Sequence, residues 1–191
     1  MLIPIKAFGA AKKRLAAVLT PDERSRLAKA MAERVIAAGQ SATVFVVCDD
    51  QSVAGWAVQR NASVLWHPSL GLNAAVSAAV GDIRGSGFDH VVIAHSDLPL
   101  ARSLIHLATD RQITLVPDAR LDGTNVLSMP TDVPLTMMYG SGSYRRHLQQ
   151  ALATNLQVQV VHDLRLARDV DTPRDLAHPL LLPFSTEVLH P

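Results

Sequence analysis

Near-continuous apolar runs rich in β-branched residues occupy positions 2–5, 43–48, 62–66, 90–94, 113–116 and 158–161. Runs of this length and composition predict strands. Because they do not alternate with polar residues, they predict a mostly parallel sheet covered by helices on both faces: a three-layer, Rossmann-like α/β domain. Between the runs the apolar positions move to helical spacing. Leu27, Met31, Val35 and Ala38 form a stripe that reads as core. Its start is marked by Thr20-Pro21-Asp22-Glu23: a hydroxyl N-cap, a proline at the first helical position and a glutamate to close a capping box. Gly39 is the expected stop. Further helices are predicted over 52–60, 73–83, 102–108 and 143–153, with a short one opened by Thr172-Pro173-Arg174-Asp175. Prolines at 179, 183 and 191 predict a tail from about residue 178 that wraps the surface or contacts a second copy in a homodimer. With no internal repeat or linker, residues 1–191 are expected to form one domain.

Composition narrows the partners. The 191 residues carry 18 Lys+Arg against 17 Asp+Glu, a formal net charge of +1, with 48% hydrophobic residues. That balance excludes disorder as the main state. It also excludes a general field for nucleic acid or anionic membrane, so a polyanion must be held by a few placed cations. Aromatic residues, 4% of the chain, are too sparse for a base-stacking platform. No apolar run approaches the roughly 20 residues that span a bilayer, and Met1 leads directly into the first predicted strand. A cytoplasmic protein acting on small molecules, without nucleic acid or membrane, is therefore expected. Cys48 stands alone and can form neither an internal disulfide nor a thiolate zinc site.

Ligands of open parallel sheets bind beyond the carboxyl ends of strands, and the unusual polar residues collect there. The first predicted strand is followed by Lys6, Lys12, Lys13 and Arg14, enough cations to hold a triphosphate. The spacing of a Walker loop is absent, so side chains rather than backbone must do the holding. The strand at 90–94 runs into His95-Ser96-Asp97-Leu98-Pro99. Far along the chain, Arg168-Asp169-Val170-Asp171 sets two carboxylates at i and i+2, which on extended backbone face the same way. Aligned carboxylates suit Mg²⁺, a hard ion that takes oxygen ligands and shares them with phosphates. Read singly, Asp97 and Asp171 would be helix caps or turn residues. Gly123-Thr124-Asn125 and Tyr139-Gly140-Ser141-Gly142-Ser143 are small-residue loops, the second at a helix start suited to an anion. His95 reads as a hydrogen-bonded structural histidine rather than a base. No Gly-x-Ser-x-Gly elbow supports a hydrolase.

Together, Pro4-Ile5-Lys6 with Lys12-Lys13-Arg14-Leu15, Gly71-Leu72-Asn73, Ser96-Asp97-Leu98-Pro99, Gly123-Thr124-Asn125, Gly140 with Ser143, and Asp169-Val170-Asp171-Thr172-Pro173 resemble one family. It is the phosphoenolpyruvate/2-phospho-L-lactate guanylyltransferases of deazaflavin coenzyme F-420 biosynthesis, and the resemblance runs in order from about residue 3 to residue 176. It implies a nucleotide-diphosphosugar transferase-like α/β fold and a Mg²⁺-dependent transfer of GMP from GTP to a phosphorylated three-carbon acid. It also implies metal on Asp97, Asp169 and Asp171, with Lys12 as a catalytic cation. The acid would be held by Thr124, Asn125, Gly140 and Ser143, and the nucleotide by Lys6, Lys12, Arg14, Gly71 and Asn73. Departures are His95 before the Ser-Asp-Leu-Pro segment and Asp122 where the family often has glycine. The alternatives are a molybdopterin guanylyltransferase or sugar-phosphate nucleotidyltransferase, whose dense glycine loop is missing here, and a non-catalytic nucleotide-binding domain.

Overall fold

The structure, a computed structural model, describes residues 1–189. Pro191, one of the prolines of the expected tail, lies outside the described residues. The strands are β1 (Leu2–Pro4), β2 (Phe45–Cys48), β3 (Ser63–Trp66), β4 (His90–Ala94), β5 (Gln112–Pro117), β6 (Thr124–Pro130) and β7 (Gln157–Val160). The helices are α1 (Pro21–Ala38), α2 (Gln51–Val58), α3 (Leu72–Gly85), α4 (Ser143–Leu152), α5 (Pro173–Leu176) and α6 (Leu182–Leu189).

Among the described residues the strands form one seven-stranded sheet in the order β3-β2-β1-β4-β6-β5-β7. Successive side chains of a strand point to opposite faces, and both faces are covered. Ile3 and Val46 pack with Val35, Ile36 and Trp56 of α1 and α2. Leu2, Ile93 and Leu127 pack with Val76, Ile83 and Ala151 of α3 and α4. α1 starts and stops where its sequence signals place it: the Thr20 side chain accepts from the Glu23 N–H, Glu23 closes the capping box, and Gly39 is the C-cap.

Three elements depart from the sequence expectation. β6 begins in the Thr124-Asn125 stretch expected to be loop and extends over 126–130, where no strand is expected, and it runs antiparallel to both β4 and β5 in an otherwise parallel sheet. This reversal carries the start of β6 to the rim where β4 and β5 end, with Val126 opposite Ala94 and Thr124 opposite Pro117. The helix expected over 102–108 is instead a single 3₁₀ turn, Ile105–Leu107. Leu98, Ala101, Leu104 and Leu107 are all buried, a spacing of three that suits a tighter turn rather than an α-helix. The Leu104 N–H also bonds outward, to the Ala38 carbonyl. Finally, the expected tail contains α6. Pro183 sits in its first turn, where a missing N–H costs nothing. Leu181 and Phe184 are buried with Leu15, Leu27, Met31 and Val170 in a third apolar cluster.

Candidate active site

That third cluster sets the geometry of the carboxylates. Val170 is 1% exposed, anchored among Leu15, Leu27 and Phe184, and its N–H reaches the Asp97 carbonyl at 3.3 Å. With Val170 pointing into the core, Asp169 and Asp171 face the opposite way, toward Asp97 beyond the end of β4. One oxygen from each of Asp97, Asp169 and Asp171 lies within 4.8 Å of the others.

Such a cluster must be neutralised. Phe8, buried edge-on against Trp56 with ring centroids 4.9 Å apart, and Leu15, fully buried, pin the two ends of the loop after β1. Between them Lys12 adopts a left-handed conformation (φ 52°), which is sparsely populated for residues with a side chain and is held here by what the side chain gains. Its ammonium donates to Asp97 Oδ2 at 2.7 Å and Asp171 Oδ1 at 2.9 Å. Burial opposes the charge on Lys12, yet the two carboxylates outweigh it and raise its pKa to about 12. Burial would likewise raise Asp97, but Lys12 and His95 hold it below its ordinary value. Asp169 has no such cation among the described residues. Burial first, then the charges of Asp97, Asp171 and Asp118, push it up to about 6.

Two clefts meet at this cluster, and His95, Asp97 and Asp171 line both. One, of about 410 Å³, runs along the β1 loop past Lys6, Phe8, Lys12 and Leu72. The other, of about 780 Å³, is floored by Thr124, Asn125, Gly140 and Ser143 and ringed by Arg14, Arg120, Arg168 and Arg174. Its floor is stitched from two loops. The Asp118 carboxylate accepts from the N–H groups of Arg120 and Asp122 and shapes the β5–β6 turn. Gly123 packs against it, for a Cβ there would meet Asp118 Oδ2 at 3.0 Å. Asp122 then crosses to the second loop and accepts from Gly142 N–H at 2.9 Å. The Ser143 hydroxyl accepts from Thr124 N–H at 3.0 Å. Gly140, at φ 116°, holds a backbone conformation that L side chains rarely adopt.

The residues expected to carry the chemistry therefore converge, with local exceptions. Arg14 is exposed and bonds Asp171 at 3.5 Å; it lines the larger cleft rather than the one along β1. Asn73, expected on the nucleotide side, has both ends of its amide engaged on the Tyr139 backbone, accepting from its N–H at 2.7 Å and donating to its carbonyl at 3.2 Å. It thus fastens the 139–143 loop to the start of α3. Gly71 caps α3 and lines neither of these clefts. Asn125 lines the larger cleft but spends its amide N–H on the Leu166 carbonyl. His95, expected to be hydrogen-bonded, has a buried Nε2 without a hydrogen-bond partner among the described residues and packs its ring on Tyr139 at 4.9 Å.

Sequence reasoning gave no role in the site to Asp118, Arg120, Arg168, Arg174 or His147. His147 had a legible signal: with Ser143 and Ala151 it forms the buried stripe of α4 at four-residue spacing.

Comparisons with known proteins bear on the family and the fold. Residues 1–185 match the family described as guanylyl transferase CofC like. The chain is 33% identical to a phosphoenolpyruvate guanylyltransferase from Sphaerobacter thermophilus, over 92% of this chain and 89% of the relative. It is 30% identical to a 2-phospho-L-lactate guanylyltransferase from Methanosphaera stadtmanae, over 94% and 82% respectively. Among solved structures, a protein from Desulfovibrio desulfuricans G20, whose name places it with nucleotide-diphospho-sugar transferases, superposes with a TM-score of 0.72 at 16% identity, covering 98% of this chain and 95% of that one. CMP:2-keto-3-deoxy-manno-octonic acid synthetase gives 0.60 at 13% identity, covering 97% and 98%. These two likenesses establish the fold. No helix among the described residues is long and apolar enough to cross a membrane.

Proposed function

The chain belongs to the family of CofC-like guanylyl transferases, and from that premise we propose that it transfers GMP from GTP to the phosphate of phosphoenolpyruvate, or of 2-phospho-L-lactate, in coenzyme F-420 biosynthesis. The domain acts as one catalytic unit spanning residues 1–191. The observation that carries this reading is that two clefts of different chemistry meet at one acidic cluster, so two anionic substrates can be brought to a common point. The cleft along β1, with Lys6 and Lys12, takes the nucleotide, and the cleft floored by Thr124, Gly140 and Ser143 takes the acid. Phosphoenolpyruvate is the acceptor we place first, since a relative bearing that activity in its name reaches 33% identity.

A phosphate oxygen of the acid forms a bond to the α-phosphorus of GTP while the bond from that phosphorus to the pyrophosphate oxygen breaks. The attacking oxygen is already ionised, so no strong general base is needed. The burden is positioning and charge. Two unit anions at 4 Å repel by about 4 kcal/mol at an effective dielectric of 20, and each substrate carries more than one charge. Lys6, Lys12 and the arginine ring offset this repulsion, while Thr124 and Ser143 orient the acceptor.

A divalent cation fits the carboxylate cluster, because the donors are all oxygen and Asp97 Oδ1 is buried without a hydrogen-bond partner among the described residues. Asp97, Asp169 and Asp171 would hold Mg²⁺, which when bound neutralises phosphate charge and polarises the phosphorus centre. The test offers GTP and Mg²⁺ with phosphoenolpyruvate, 2-phospho-L-lactate, 3-phosphoglycerate and a sugar 1-phosphate separately, and identifies the product by mass. A guanylated three-carbon acid is expected. Product only with the sugar phosphate, or GTP bound with no pyrophosphate released, overturns the proposal.

A further inference from the structure

Thr124 lines the larger cleft, itself 2% exposed, and the bonding of its hydroxyl is set by His147, which is 0% exposed. Met138 N–H donates to His147 Nε2 at 2.9 Å. A ring nitrogen that accepts from an N–H carries no proton, so in the neutral ring the proton sits on Nδ1. His147 Nδ1 lies 2.9 Å from Thr124 Oγ1, and Nδ1–H must therefore donate to the hydroxyl oxygen. That bond occupies one lone pair of Thr124 and leaves its own proton without an acceptor among the described residues. Ser143 is in the same state, because its oxygen accepts from Thr124 N–H. Burial, then the charges of Arg146 and His95, lower the His147 pKa to about 4, consistent with a neutral ring.

We propose that His147 is a positioning residue which, by donating from Nδ1, turns the Thr124 hydroxyl into a hydrogen-bond donor aimed at the acceptor. Thr124 and Ser143 together then present two protons to one substrate atom. They select an oxyanion oxygen of the phospho-acid and disfavour a hydroxyl that needs an acceptor for its own proton. The inference rests on placing the acid in the larger cleft.

Two isosteric substitutions separate the two bonds of the ring. The amide of His147→Asn reaches the position of Nδ1 and keeps the donor to Thr124, but leaves Met138 N–H unpaired. The amide of His147→Gln reaches the position of Nε2 and keeps the Met138 bond, but loses the donor to Thr124. A structural role alone would make acceptor KM track stability. Positioning predicts the opposite order. His147→Gln raises acceptor KM about tenfold, the loss of a charge-assisted hydrogen bond, with GTP KM unchanged and the melting temperature nearly kept. His147→Asn melts lower and recovers most of the acceptor affinity. In a Thr124→Val background, His147→Gln should raise acceptor KM no further, since its effect passes through the hydroxyl. Acceptor KM rising in step with lost stability in both variants, or additive effects in the double variant, overturns the proposal. Nitrogen-15 NMR of the histidine rings needs no turnover: protonation at Nδ1 of His147 supports the relay, and protonation at Nε2 overturns it. Failure to guanylate any phospho-acid would remove the functional reading, while the NMR result still judges the relay.

Discussion

The β1 side of the site and the β6–α4 side reach Asp97 by different means. On the β1 side, formal charges hold the geometry. The Lys12 ammonium, its side chain 10% exposed, lies between Asp97 at 19% and Asp171 at 41%, and a strained backbone at Lys12 is tolerated to put it there. On the β6–α4 side the Thr124 and Ser143 hydroxyls are set by neutral partners, one backbone N–H and one imidazole, and their loops are joined by Asp122. Charge attraction is long-ranged and tolerant of direction, which would suit the exchange of partners between phosphates and a cation that the proposed function places there. Oriented hydroxyls are short-ranged and directional, which suits discrimination between small acids. The two sides should therefore respond differently to substitution.

The largest effect should come from the carboxylates. Asp97→Asn or Asp171→Asn is expected to lower kcat by at least about a hundredfold while the circular dichroism spectrum and melting transition stay near those of the parent. Near-normal pyrophosphate release by both variants would end the metal assignment. Next, Lys12→Met removes the one cation that bonds Asp97 among the described residues and leaves Asp171 only the exposed Arg14, and should cost about 2–3 kcal/mol of stability in the absence of divalent cation. Urea titrations with and without Mg²⁺ check this, and recovery of stability by Mg²⁺ is expected if the cation takes the place of the ammonium.

Acid probes the neutral side. His147 titrates at about 4 in the folded protein against 6.5 as a free group. Between those values the unfolded chain binds a proton that the folded chain refuses, so this contribution to stability is complete above about pH 6.5 and is lost as pH falls toward 4. The total approaches about 3 kcal/mol. His147→Gln should flatten the dependence of the urea midpoint over that window, and an unchanged slope would refute a neutral buried ring. Asp122→Ala removes the link to Gly142 N–H and should raise acceptor KM several-fold through a loss of about 1 kcal/mol, with GTP KM unaltered. Outside both sides, Thr20→Ala should cost about 1 kcal/mol of stability through the lost cap and change neither KM.

Most of the candidate site was legible because its signals are local. A carboxylate ending an apolar run, two aspartates around a valine, and a basic turn after the first strand each carry meaning within a few residues. Asn73 was harder. Its neighbourhood resembles a nucleotide segment, but its two hydrogen bonds go to Tyr139, far along the chain. β6 was hidden for a similar reason. Thr124-Asn125 at its start read as loop chemistry, and Ser128 within it is a polar residue that is fully buried and meets the His90 side chain at 2.8 Å. The partner that satisfies Ser128 lies on another strand. α6 was obscured by Pro179 before it and Pro183 within it, although Pro183 falls at the one part of a helix that accepts it.

The amino-acid sequence by itself determined the strand–helix alternation, the capped start of α1, the Val170 alternation that sets two carboxylates on one face, and the family. The first three follow from spacing and side-chain type, and the family from the resemblance of its ordered motifs. Only the tertiary structure decided that β6 runs backwards, so that Thr124 and Asn125 arrive at the rim carrying Asp97. It also decided that Lys12 bridges Asp97 and Asp171, and that a histidine buried under Thr124 sets the direction of a hydroxyl proton. Each of those depends on which distant group supplies the missing donor, acceptor or counter-charge, and that is settled when the layers close.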